Sequence, residues 1–184
     1  MRKLNLIRAP MSLRLQEALV NDVTRILNEE IKVKEEDGSV STLVFKKPKN
    51  QTTTKVNVYR NRLPILKDED DEDDKFFPYC IVRLDSSVTE EDGDFDHVNV
   101  GFYFGAYDND RDGGGDIYIQ AMIDAVKTRF EEEPLLDHMF RAEPDTDWAL
   151  QDADSYPYYF GALEITFGIP KMKRKDLFTD GRFY

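Results

Sequence analysis

Residues Ser155 to Lys171 read Ser-Tyr-Pro-Tyr-Tyr-Phe-Gly-Ala-Leu-Glu-Ile-Thr-Phe-Gly-Ile-Pro-Lys, and this late apolar run constrains the fold more than any other stretch. Glu164 is its only charge between Tyr156 and Pro170. Aromatic and β-branched residues at this density predict a strand buried on at least one face. Alternation assigns Tyr159, Gly161, Leu163, Ile165 and Phe167 to the core face, with Tyr158, Phe160, Ala162, Glu164 and Thr166 on the other. Pro157 and Pro170 punctuate its ends, where a missing backbone donor does least harm. A strand this late must pair with elements made earlier, so the sheet closes only when most of the chain is present.

Those earlier elements begin with a helix that Ser12 is placed to cap, running to about Lys32, with Leu15, Ala18, Leu19, Val23, Ile26, Leu27 and Ile31 at helical spacing. Val40 to Phe45 and Lys55 to Tyr59 read as strands joined by a polar loop at about 46–55. Asp68 to Asp74 is an unbroken run of acids within an exposed loop at about 67–75, since like charges this close repel one another. Phe76 to Leu84 and His97 to Tyr107 form a hairpin across a second acidic loop, Asp85 to Asp96, with Val98, Val100, Phe102 and Phe104 on one face. Asp116 can cap a second helix, Ile117 to about Glu132, whose buried stripe is Ile119, Met122, Ile123, Val126 and Phe130. Leu135 to Phe140 is a short extended piece, followed by a polar loop that carries the sole tryptophan, Trp148. A basic tail, 171–184, ends the chain. The expectation is a single domain over 1–184 of the α+β class, its helices packed on one side of a mainly antiparallel or mixed sheet.

The 184 residues carry a formal net charge of -12, which disfavours a nonspecific grip on phosphate backbones, because that grip needs Lys and Arg to displace counterions. The ends are basic and the middle acidic, so charge-complementary contacts between subunits are available. One cysteine, Cys80, excludes an internal disulfide and a Cys-rich zinc site. No run is long enough to span a bilayer and Met1 to Pro10 lacks an apolar signal core, the pattern expected of a chain kept in the cytosol and off membranes.

Asp108, Asp110, Asp112 and Gly113 spell the first half of a calcium loop, with Asp116 at its ninth position. Ile119 stands where a bidentate Glu should close the cage, so a solvated strand-to-helix loop is the better reading and a weak divalent site the alternative. His97 and His138 are the only histidines, there is no Gly-x-Ser-x-Gly elbow, and Gly113 to Gly115 lacks the Lys-Ser/Thr of a phosphate-binding loop. The expectation is a non-enzymatic protein without a cofactor. Tyr156, Tyr158, Tyr159 and Phe160 could stack bases, but their neighbours Asp147, Asp152 and Asp154 are acidic where a nucleic-acid groove is basic. Core packing or a subunit interface suits those rings better.

Three stretches together resemble the tail terminator, or tail completion, proteins of tailed bacteriophages and prophage elements. The first is Val56-Asn57-Val58-Tyr59-Arg60, then Leu63-Pro64, then Phe77-Pro78-Tyr79-Cys80-Ile81-Val82-Arg83. The second is the strand ending Gly105-Ala106-Tyr107 with its Asp/Gly loop and the helix from Ile117 to Phe130. The third is Tyr156-Pro157-Tyr158-Tyr159-Phe160-Gly161 through Ile169-Pro170. The resemblance implies a virion structural protein of the tail or neck, assembled in the host cytoplasm into a ring, typically hexameric. Such a ring caps the head-proximal end of the tail tube, stops its polymerisation and joins it to the head connector or stopper protein. DNA passes through the lumen without specific binding, and an acidic lining would let it slide. Tyr156, Tyr158, Tyr159 and Phe160 are the interface candidates, with Lys171, Lys173, Arg174 and Lys175 of the tail, which the resemblance does not cover. The alternatives are another neck ring (head-completion or adaptor) or a tail tube protein. From a different class, the rival is a carboxylate-dependent metal enzyme acting on DNA, which needs at least three acids to converge in one pocket.

Overall fold

Two helices pack against one sheet, and stretches that look like polar loops supply more of that sheet than their composition suggests. The computed structural model describes residues 10–34, 37–65, 73–89, 93–110, 114–151 and 155–171. In chain order these form helix α1 (Met11–Arg25), which continues as a π-helical turn (Ile26–Glu30), then strands β1 (Lys32–Lys34), β2 (Val40–Thr42), β3 (Phe45–Lys47), β4 (Gln51–Thr53) and β5 (Asn57–Arg60). A 3-10 turn (Asp73–Phe76), β6 (Tyr79–Thr89), β7 (Phe95–Tyr107), helix α2 (Gly115–Glu132), β8 (Leu135–Leu136), β9 (Phe140–Leu150) and β10 (Tyr158–Pro170) follow. The class is α+β.

The late strand is central. β10 pairs antiparallel with β7 along its whole length, Tyr158 opposite Tyr107 and Pro170 opposite Phe95, and with β9 on its other side. β6 lies antiparallel on the far edge of β7, and β5 lies parallel outside β6, giving the order β5-β6-β7-β10-β9-β8. The β3–β4 hairpin joins the β7 edge through one bridge, Lys46 to Tyr107, and β1–β2 is a separate two-stranded ribbon.

Alternation along these strands sends Leu163, Ile165 and Phe167 of β10 and Val98, Val100, Phe102 and Phe104 of β7 to the helix side, all buried, as the pattern predicts. They meet Leu15, Leu19 and Val23 of α1 and Ile119, Met122, Ile123, Val126 and Phe130 of α2 in one core. Both helices therefore cover the same face. Arg129 Nε of α2 lies 3.2 Å from Asp22 Oδ2 of α1, pinning the helices to each other. The Asn28 amide clamps the chain at Val56, accepting from its N–H at 2.8 Å and donating to its carbonyl at 3.2 Å.

Local expectations are corrected at several points. The loop expected over Asp85 to Asp96 is shorter, because β6 continues to Thr89 and β7 begins at Phe95, their ladder extending the hairpin. Ser12 is not a cap: Pro10 precedes the helix, whose first-turn N–H groups have no side-chain acceptor, and Pro suits that entry because its φ is already near helical values. The helix ends at the π-helical turn rather than at Lys32, which opens β1. Residues 46–55 include a hairpin whose turn uses Lys49 and Asn50 at φ 65° and 55°, the left-handed geometry of tight two-strand connections. The segment around Trp148 is strand β9, held by its ladder to β10 rather than by apolar side chains of its own. Residues 68–72 of the acidic run and 172–184 of the basic tail lie outside the described residues.

Candidate functional site: the open sheet face, its edges and the Lys46 clasp

The sheet face away from the helices carries a second, smaller apolar cluster. Phe76, Phe77 and Tyr79 are buried there, with Tyr59, Leu63, Ile81, Tyr107, Tyr158 and Phe160 packed around them. Phe77 is the hub, with ring centroids 5.1 Å from Tyr79, 5.1 Å from Tyr158 and 6.1 Å from Phe160. Glycine makes this possible: Gly105 stands opposite Tyr79, and a Cβ on it would lie 2.4 Å from the tyrosine ring. Farther along the face Arg83, Asp85 and Tyr103 interlock, the Tyr103 hydroxyl donating to Asp85 Oδ2 at 2.8 Å and the Arg83 guanidinium lying 4.3 Å from the Tyr103 ring centroid. The Asp85 carboxylate, hydrogen-bonded to Arg83, raises the guanidinium's affinity for its proton, while burial raises the pKa of Tyr103.

The four aromatic interface candidates do not share one surface. Tyr158 and Phe160 lie on the open face, half-buried within the cluster. Tyr156 is 50% exposed, its hydroxyl donating to the carbonyl of Asn109 at 2.7 Å. Tyr159 points to the helices and packs against the main core and the start of α2. A Cβ on Gly115 would sit 2.1 Å from the Tyr159 ring. Ala in place of Gly in a helix ordinarily stabilises by up to about 1 kcal/mol. Here the sign reverses: Gly115→Ala is expected to lower stability by about 1–3 kcal/mol in urea denaturation, because the ring must leave its seat. A neutral or stabilising result would mean that Tyr159 is not held there. Lys171 is tied back to β7, its N–H donating to the Asp94 carbonyl at 2.9 Å and its Nζ 3.9 Å from Asp96. Lys173, Arg174 and Lys175 lie outside the described residues.

In the aspartate loop, Asp108 is buried at 2% exposure and Lys46, from the β3–β4 hairpin, places its Nζ 2.9 Å from Asp108 Oδ1 and against Asp110. Asp108 also accepts the Asp110 N–H at 3.0 Å. The hydrogen bonds that Lys46 donates to Asp110 and then to Asp108 hold its pKa well above the ordinary lysine value despite its desolvation. An ammonium group thus sits where a calcium loop would seat its ion. Asp116 is exposed in the first turn of α2 and is not its cap, the helix starting one residue earlier with Gly114 at the N-cap, and Asp112 is outside the described residues. Among the described residues no three His, Cys, Asp or Glu side chains gather as metal ligands. Lys46 is not legible in the sequence as a partner of these acids, since it lies in a different element far upstream.

At the opposite end of the open face, His97 Nδ1 meets Glu143 in a cleft of about 370 Å³ lined also by Phe95, Arg141, Pro144 and Gly168. His138 sits apart from it in the turn after β8, in the left-handed region at φ 56°. Cys80 is fully buried in the core, and burial raises its pKa far out of the range where a thiolate forms. No helix among the described residues is long and apolar enough to cross a membrane. Neither a protein-family model nor a curated protein matches the chain in sequence.

Proposed function

We propose that this chain is a structural subunit of a phage tail or neck, a tail terminator that forms a ring on the head-proximal end of the tail tube and joins it to the head connector. The observation that carries the reading is that the three stretches bearing the resemblance are neighbours in space. β6, β7 and β10 pair side by side, with α2 packed on β7 and β10. The soft aromatic and proline pattern of the sequence therefore describes one contiguous unit, with an aromatic open face and a helix-covered back. The Lys46 ammonium between Asp108 and Asp110 disfavours a divalent ion in that loop, the weak metal site the sequence offers there.

Light scattering across concentration, followed by electron microscopy with tail tubes, tests this. The expected result is a species near 128 kDa, about six times the 21.4 kDa of one chain, formed alone or on tube ends, with tube growth arrested at the capped end. A monomer at every concentration that also leaves tube ends bare and growing overturns the reading.

A further inference from the structure

Among the described residues, the two outer edges of the main sheet carry exposed charges of opposite sign. On one side β5 pairs only with β6 among the described residues, and its outer edge is flanked by the exposed cations Lys55, Arg60 and Arg62. On the other, among the described residues only β8 pairs with the outer edge of β9, and only at its start, through Leu135 to Arg141 and Leu136 to Phe140. Beyond Pro144, which has no N–H to offer, the β9 edge presents Asp145, Asp147 and Trp148, all exposed, the tryptophan at 54%. An unpaired strand edge is a template for another strand. Like edges repel here, acid against acid or base against base, so a two-fold symmetric pairing through either edge is disfavoured. Unlike edges attract.

We infer that the β9 edge of one copy, at Asp145 to Ala149, receives the β5 edge of a second copy of this chain, Asn57 to Arg60, and continues the sheet from subunit to subunit. Strand direction permits it. β5 runs parallel to β6, while β6, β7, β10 and β9 alternate, so β9 runs opposite to β5. Copies related by rotation about an axis along the strands keep those directions, and the new pair is antiparallel. Arg60 and Trp148 both project on the helix side, by their registers with Val82 and Leu163, so the guanidinium can lie on the indole as the edges meet. The contact is head-to-tail, the type that generates a closed ring when the rotation closes. This deepens the ring reading and rests on it for closure only.

The test is a charge swap read by analytical ultracentrifugation at low salt. One variant carries Asp145→Lys and Asp147→Lys, the other Arg60→Glu and Arg62→Glu. Each alone is expected to self-associate at least about tenfold more weakly than the unmodified chain. Their equimolar mixture is expected to recover assembly, because every junction then joins unlike charges again. Circular dichroism of each variant confirms the fold, and recovery in the mixture excludes misfolding as the cause. Assembly of the unmodified chain that neither variant weakens overturns the edge contact and leaves the ring reading standing. An unmodified chain that stays monomeric up to its solubility limit also overturns the edge contact, and tube capping then decides the ring reading separately.

Discussion

Phe167→Ala is expected to lower unfolding free energy by about 3–5 kcal/mol, the range for removing a fully buried phenylalanine. Phe167 is wholly enclosed on the helix side of β10, edge-on to Phe130 with ring centroids 5.1 Å apart, and Phe130 in turn stacks toward Phe102 at 6.4 Å. These rings come from α2, β7 and β10, so the lost volume opens where three elements meet and none can collapse into it alone. Phe160→Ala, on the same strand and only half-buried on the open face, should cost about 1–2 kcal/mol, since its ring leaves less apolar surface dry. Urea denaturation of both variants checks the pair. Equal losses would mean that the open face is as dry as the core.

The contrast between those two residues is legible in the sequence, because strict alternation along β10 leaves one face apolar and gives the other Glu164 and Thr166. The stripes of α2 and β7 are legible for the same reason: periodicity reports burial, and both elements are half-buried along their length. β9 escapes because its side chains are mostly exposed and polar, broken by Pro144 and by an irregular register opposite Ile165 to Phe167. Its strand character is set by the β10 ladder, a nonlocal partner that local composition cannot report. The β3–β4 hairpin escapes likewise, its polar run being fixed by a turn and by one bridge to β7. Among the site residues, spacing finds the acids from Asp108 onward but not their cation. Lys46 reaches them across 62 positions of sequence, and an acidic loop read alone has no way to name its counterion.

That counterion carries the second large effect. Lys46→Met is expected to destabilise the protein by about 2–3 kcal/mol at neutral pH, because Asp108, at 2% exposure, would be left buried without the ammonium beside it. The cost falls below the about 3–5 kcal/mol for breaking a fully buried pair, since the lysine side chain is 29% exposed and the Asp110 N–H still serves Asp108. The pH dependence follows from the direction of the lysine shift. A group whose folded pKa is raised contributes stability that is complete below its unfolded value, near 10.5, and that disappears as pH climbs through the raised folded value. The lysine term in the gap between wild type and Lys46→Met should therefore stay flat from about pH 6 to about pH 9 and shrink only in strong alkali. Calcium and EDTA should each leave the wild-type melting temperature unchanged, because the ammonium already stands between the carboxylates. A calcium-dependent rise would show that the ion displaces Lys46, and the loop from Asp108 to Asp116 would then have to be read as a metal site after all.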